Sequence, residues 1–572
     1  MGAGGDTNSL INAAGGPEGG TGKGSGVIGR VPGMESFVPL AERIVEALLE
    51  SRPGLATYAG DHRYDDRLPD LSADALAADQ AMLKDAADAL AEIDPDALDV
   101  AESVDHALLT SMIDRGLFET TEIRGHEWDP LRHNPGPLLH ALLARPFAPA
   151  EERLTSLAGR LSAVPDALAT ARATLRDMPR IHAETAVGQF TGTAALIRDE
   201  VPALLAQAPA LRDRVGPAAT DAIAALEEFV AWLRQGLAAD AGPGRDPRLG
   251  RRRWEARLWH TLDTELSAAE VQRRAWANLD RVTEDIRAAA VELVGGPADD
   301  ETVRRALDLL AAEHPADATI VDLASVTLDE ASDFVRLHDL VSMVDDPCVI
   351  QEMPEFARGV AVAYCDSPGP LETADVPTFY CIAPTPADWP AQRVESFYRE
   401  YNDHMIRNLT VHEAMPGHFL QLAHARRYEG PTRVRALTES GVFIEGWAVY
   451  TEELMAGLGF GGLPVRLQQL KMQLRMTINA LLDQLVHCDD LPESEAMALM
   501  TGRGFQEEGE AAGKWRRALL TSTQLSTYFV GYSEMADIAA ALPDGVPVRD
   551  WHDAMLAHDC PPPRHLRTLL GV

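Results

Sequence analysis

Residues 408–430 read NLTVHEAMPGHFLQLAHARRYEG, and the spacing of His412, Glu413, Pro416, Gly417 and His418 within them decides how the chain must turn there. In the HExxH zinc pattern two histidines lie one helical turn apart, so both imidazoles share a face and the glutamate after the first reaches a water at the metal. Here the histidines are six residues apart. Six residues rotate an α-helix by about 600°, which leaves the second side chain roughly 120° from the first. An unbroken helix could not aim both at one ion. Pro416 lacks an amide donor and would clash with the carbonyl of His412, and Gly417 tolerates dihedrals closed to other residues. The segment therefore predicts a helix that stops, turns and restarts, bringing His418 round to the ion held by His412. His424, on the restarted helix, is expected to be structural.

Two imidazoles leave a third protein ligand to find, and catalytic zinc sites commonly add a carboxylate from a neighbouring helix. The stretch GVFIEGWAVYTEELM, residues 441–455, offers Glu445 among apolar neighbours. An unpaired carboxylate is expensive to bury there, and a dication would stabilise it. Glu452, seven residues on and on the same helical face, could hold a ligand histidine, whereas Glu453 is expected to face solvent. Imidazole and carboxylate donors favour zinc, one ion per chain, over manganese or cobalt.

The rest of the chain reads as helix. Apolar residues recur at helical spacing in FVPLAERIVEALLE (37–50), RLTSLAGRLSAVPDALATARATL (153–175) and ATDAIAALEEFVAWLRQGL (219–237), the pattern of amphipathic helices around a core. The predicted class is mainly α, a multi-helical fold with a deep cleft and at most a small sheet. That sheet is expected between 345 and 390, where Pro and Gly interleave with short apolar runs such as TFYCIA. Residues 1–33 are Gly-rich and predicted to be disordered. Residues 34–240 are expected to form a helical region walling the cleft, 241–255 a linker or surface loop, and 256–572 the helical catalytic region.

The chain has 572 residues and a net charge of −37, ample for a large core and repulsive to nucleic acid and anionic lipid. Its five cysteines form no CxxC pair, so neither a disulfide framework nor a cysteine zinc site is suggested. A reducing cytoplasm is expected. No apolar run approaches the ~18 residues of a membrane span. The stretch GGTGKGSG near the start lacks the first glycine and the final Ser or Thr of a phosphate-binding loop.

HEAMPGH at 412–418 and EGWAVYTE at 445–452 stand ungapped, and on these motifs the chain resembles the bacterial family catalogued as domain of unknown function 885, whose members carry HEAxPGH followed by EGWAxYxE. The resemblance runs from about residue 36 to 570, beginning with PGLATYAGDHRYDDRLPDLS and ending with WHDAMLAHDCPPPRHLRTLL. It implies an all-helical metallopeptidase-like fold with zinc on the first histidine, the second histidine and the downstream glutamate, here His412, His418 and Glu445. A family segment carrying glutamine and tyrosine and ending Tyr-x-x-Gly is matched by Gln524, Tyr528 and Gly531. Ser522 stands where the family usually has proline, and Phe529 where it often has lysine. A phenol near a metal can donate to the oxyanion formed at an attacked carbonyl, the role expected of Tyr528, with Tyr532 as fallback.

Together these readings predict a zinc-dependent hydrolase of amide bonds in short peptides, with Glu413 as general base. Alternatives are a specialised small-molecule amide or ester hydrolase using the same site, and a non-catalytic metal-containing binding protein. Structural zinc sites are usually closed by four ligands, and the glutamate beside the first histidine favours catalysis. Arg503, Arg516 and Arg517 are candidates for a substrate carboxylate, with no spacing to choose among them.

Overall fold

Phe37, Leu40, Ala41, Ile44, Val45, Leu48 and Leu49 are all buried along the helix Phe37–Ser51. This i, i+3, i+4, i+7 spacing puts one helix face on a core. The structure, a computed structural model, describes residues 36–239, 242, 244–353, 362–387 and 389–572. The expectation for residues 1–33 lies outside them. The first helix packs with Ala73–Leu90 and Val100–Phe118, the latter opened by a capping box between Asp99 and Glu102. A second core gathers the long helices Ala150–Thr174, Arg180–Leu205 and Arg212–Ala239 around Phe190, Leu226 and Phe229.

The stretch expected as a linker is shorter than predicted. Gly250, at φ +73°, ends the irregular backbone, and the helix Arg251–Leu262 begins directly after it. Trp254 explains the difference: its side chain is fully buried and its indole N–H donates to Asp483 at 2.9 Å. A residue with that much apolar surface anchors its own helix.

Beyond it the fold is mainly α, as predicted, with one small sheet among the described residues. Strand β1 (Cys348–Glu352) runs parallel to β3 (Thr378–Ile382), and β2 (Ala363–Asp366) pairs antiparallel on the other side of β3. The TFYCIA run thus supplies the central strand. The Tyr380 hydroxyl lies 3.1 Å from Thr410 Oγ1, which ties the sheet to the helix Asp403–Glu413. The short helix His418–Ala425 follows, then Gly441–Gly457, Gly462–Cys488 and Thr527–Ala540.

The helix Gly441–Gly457 lies between two cores. Phe443 and Trp447 enter the one beside the sheet, while Val442 and Val449 enter the one built on Gly462–Cys488. The early and late parts of the chain also share a core, since Val434 and Leu437 pack with the first helices, and buried Asp105 accepts from Arg435 at 2.8 Å and Thr432 at 2.6 Å. No described helix is long and apolar enough to cross a membrane.

Helices Gly441–Gly457 and Thr527–Ala540 touch backbone to backbone: a Cβ on Gly446 would lie 2.5 Å from the Gly531 carbonyl. Gly446→Ala should therefore cost about 1–3 kcal/mol, as overpacking does, and lower the midpoint of chemical denaturation. Gly457→Ala at the end of the same helix, where an added methyl meets nothing within 4 Å, should be neutral or mildly stabilising. Equal midpoints for the two variants would contradict the packing.

Candidate metal centre

The Asn402 side chain accepts from the N–H groups of His404 and Met405 and so starts the helix that ends at Glu413. Ala414 leaves helical geometry, the Met415–Pro416 bond is cis, and a new helix begins at His418. The predicted interruption is thus present. Gly417 is demanded by space rather than by a left-handed backbone: its φ is −69°, but a Cβ there would lie 1.9 Å from the His412 carbonyl oxygen. Its own N–H donates to Val411 O at 3.0 Å. The Trp447 indole donates to Pro416 O at 2.8 Å, pinning the turn against the helix that carries Glu445.

Folded back in this way, His412, His418 and Glu445 each present a donor atom, all within 4.8 Å of one another. His412 Nε2 stands 3.3 Å and His418 Nε2 3.8 Å from Glu445 Oε2. That buried oxygen makes no hydrogen bond among the described residues. The other nitrogen of His412, Nδ1, meets Glu452 Oε1 at 2.7 Å, and Glu452 Oε2 accepts from Asn408 Nδ2 at 2.6 Å. A carboxylate on Nδ1 selects the tautomer that leaves Nε2 with a free lone pair. Two imidazole nitrogens and a carboxylate oxygen form a donor set that suits a zinc-class dication and leaves a coordination position open.

Charge is concentrated at the centre. Glu413, Glu445 and Glu452 are 5%, 7% and 3% exposed, a concentration of carboxylates that burial penalises. Burial pushes Glu413 up to about 7, reinforced by Glu445 and Glu452 and opposed by His412 and by a hydrogen bond from the Cys365 backbone N–H. Burial, aided by His412, lowers His418 to about 4. In His412 burial is outweighed by the carboxylates on its two nitrogens, which raise it well above the usual range. Burial also acts on Glu445, but the two histidines and Arg517 bring it below its ordinary value.

The other expected residues divide. Tyr528 is half-buried on the helix Thr527–Ala540, about one turn before Gly531, whose backbone meets Gly446 beside Glu445. Gln524 accepts from Arg517 Nε at 3.1 Å, and of the three arginines proposed Arg517 is the one whose charge acts on Glu445. Arg503 instead binds Asp280 and Thr283, and Arg516 binds Thr185. Tyr532 donates to Glu453, which removes it as a fallback donor and corrects Glu453 from solvent-facing to half-buried. His424 lies 2.7 Å from Ser342 O, a structural contact.

Two contributors escaped the sequence reading. Asn408 precedes His412 by one turn, so helical spacing could have found it. Asp483 had no such signal. Its buried carboxylate accepts from Thr523 N at 2.9 Å, Ser526 N at 3.1 Å and Ser526 Oγ at 3.0 Å, fixing the loop that holds Gln524 and leads into Tyr528. Ser522, at the family's usual proline position, accepts from Arg257 at 2.7 Å.

The profile of the family described as "Bacterial protein of unknown function (DUF885)" matches residues 53–570, and the chain belongs to that family. Its fold is similar to that of a solved protein from Shewanella oneidensis, described as a candidate lipoprotein of unknown function. The two share 26% identity and a TM-score of 0.80 over 94% of this chain and 100% of that one. A protein from Colwellia psychrerythraea, also described as a candidate lipoprotein, matches over 94% and 98% with a TM-score of 0.74 and 16% identity, a likeness of fold alone. No curated protein matches.

Because Glu452 orients His412, Glu452→Ala should weaken metal affinity about 10–100-fold, measured by competition with a chromogenic chelator. Asn408→Ala should shift it in the same direction by less. Unchanged affinity in Glu452→Ala would remove the glutamate from the centre.

Proposed function

With family membership as the premise, we propose that this chain is a metal-dependent hydrolase that cleaves amide bonds of short peptides, with one zinc ion on His412, His418 and Glu445. The observation that carries this reading is the convergence of two imidazoles on a buried, hydrogen-bond-free carboxylate oxygen, with a second buried carboxylate, Glu413, adjoining the first histidine. A divalent ion bound there would polarise a carbonyl and make water acidic enough to ionise near neutral pH.

Glu413 takes the proton of the attacking water on a carboxylate oxygen and returns it to the departing amine nitrogen as the C–N bond breaks. Tyr528 is the proposed donor to the carbonyl oxygen, and the loop held by Asp483 positions it. A peptide substrate is favoured by β2. Among the described residues this strand pairs only with β3, and its outward edge brings the Cys365 N–H to Glu413. An extended peptide could use such an edge for backbone hydrogen bonds.

Elemental analysis of the purified chain, beside a dipeptide and tripeptide library with and without chelator, tests the reading. About one zinc lost in His418→Ala, together with chelator-sensitive cleavage, is expected. Glu413→Gln should retain the metal and lose at least ~100-fold in kcat. Full activity in that variant would end its assignment as base. Stoichiometric metal without peptide cleavage would move the substrate to a specialised small-molecule amide or ester. Failure to bind metal even after added zinc would leave a helical binding protein.

A further inference from the structure

Gln421 lies one turn beyond His418 but belongs to a different cluster. Its amide Nε2 is 2.9 Å from Cys560 Sγ, its Oε1 is buried without a hydrogen-bond partner among the described residues, and the residue is 1% exposed. Glu439, Asp559 and Cys560 each offer a donor atom there, two carboxylate oxygens and a sulfur, all within 4.8 Å of one another. Asp559 is 4% exposed, and its Oδ1 likewise lacks a hydrogen-bond partner among the described residues. Arg435 is a cation whose field acts on Asp559; its Nε and one terminal nitrogen are taken by the carboxylate of Asp105 and the carbonyl of His558, and its other terminal nitrogen makes no hydrogen bond among the described residues, to Asp559 or to any other group. A cluster of three groups that can carry negative charge thus includes one carboxylate oxygen with no hydrogen bond, and the buried amide in contact with its sulfur has an unfilled valence as well. In natural folds such atoms are almost always satisfied.

We propose that Glu439, Asp559 and Cys560, with the amide of Gln421, form a second divalent-cation site distinct from the one at His412. The oxygen and nitrogen of a glutamine amide are assigned from their surroundings. Turned over, Gln421 places Oε1 beside Cys560 Sγ and completes a set of one sulfur and three oxygens. A thiolate among carboxylates selects a borderline ion such as zinc over magnesium or calcium. Four protein donors leave no open position, the mark of a structural rather than a catalytic ion. Binding releases the thiol proton and any proton held by the carboxylates. Burial raises both Glu439 and Asp559, and the nearness of Asp559 raises Glu439 further, so protons would occupy the cluster when no ion does.

The placement gives such an ion a task. Gln421 is on the helix that begins with His418, and Glu439 immediately precedes Ser440, the cap of the helix that carries Glu445. Ser440 N–H donates to the Cys560 carbonyl at 2.8 Å. An ion held there would clamp together the two helices whose N-terminal halves supply two of the three donors at the His412 centre.

The test uses cobalt(II) as probe on the full chain after metal removal. The His412 centre contains no sulfur, so a thiolate-to-cobalt charge-transfer band in the near ultraviolet reports the second site alone. Two equivalents should bind per chain. His418→Ala should lose one equivalent and keep the band, whereas Cys560→Ser should lose the band and keep the other equivalent. Should Cys560→Ser fail to fold, Glu439→Gln supplies the readout, with an affinity at the band lowered by at least about 10-fold. A single equivalent without a thiolate band overturns the proposal, as does a band of full intensity in Cys560→Ser or unchanged affinity in Glu439→Gln. None of these outcomes depends on whether the chain hydrolyses peptides.

Discussion

The contact of Gly417 with the carbonyls of Val411 and His412 leaves no room for a side chain, and the centre is arranged around it. Because the backbone can close on itself there, one helix ends at Glu413 and another starts at His418, and imidazoles that a continuous helix would splay apart come to face each other with ring centroids 4.6 Å apart. The Trp447 indole on Pro416 O fixes this turn relative to the helix of Glu445. The same helix is held by the Gly446–Gly531 contact against the one that carries Tyr528. Two close approaches of backbone, each requiring glycine, therefore set the positions of four helices around the centre.

What that alignment brings together is electrically unbalanced. Buried carboxylates survive when paired, hydrogen-bonded or bound to metal. Glu452 has its partners in His412 and Asn408, and Glu413 accepts the Cys365 N–H, but Glu445 keeps an oxygen turned to two imidazoles with no hydrogen bond. Arg517 acts on it only through its field. The Glu439, Asp559 and Cys560 cluster, which touches the helix of His418 through Gln421 and precedes the helix of Glu445, has a related imbalance. In each case the fold holds donors at a spacing that costs free energy unless a cation, or protons in its place, neutralises them.

The expectation of a loop through residues 241–255 failed in an instructive way. Composition there is that of a linker, yet Trp254 found a pocket whose floor includes Asp483, and burial of one large side chain accompanies a helix over the last third of the stretch. Asp483 in turn holds the loop before Tyr528. Asp483 stands among Leu481, Leu482 and Leu485, a setting that marks a buried carboxylate in need of partners, but those partners are distant in the chain and no local spacing identifies them.

By itself the sequence determined what depends on local geometry. Helical periodicity is a matter of spacing along one face, and the TFYCIA strand and the Pro-Gly interruption follow from the dihedral limits of a few residues. The pairing of His412, Glu413 and His418 was legible for that reason, and Glu445 was legible because a carboxylate amid apolar residues must find a partner. Tertiary structure alone decided which arginine acts on Glu445, that Tyr532 turns to Glu453, and that Asn408 supports Glu452. It also decided that Gln421, Glu439 and Cys560 meet. These are contacts between segments far apart in sequence, set by how whole helices pack, and packing distributes its constraint over too many residues for any one stretch to reveal it.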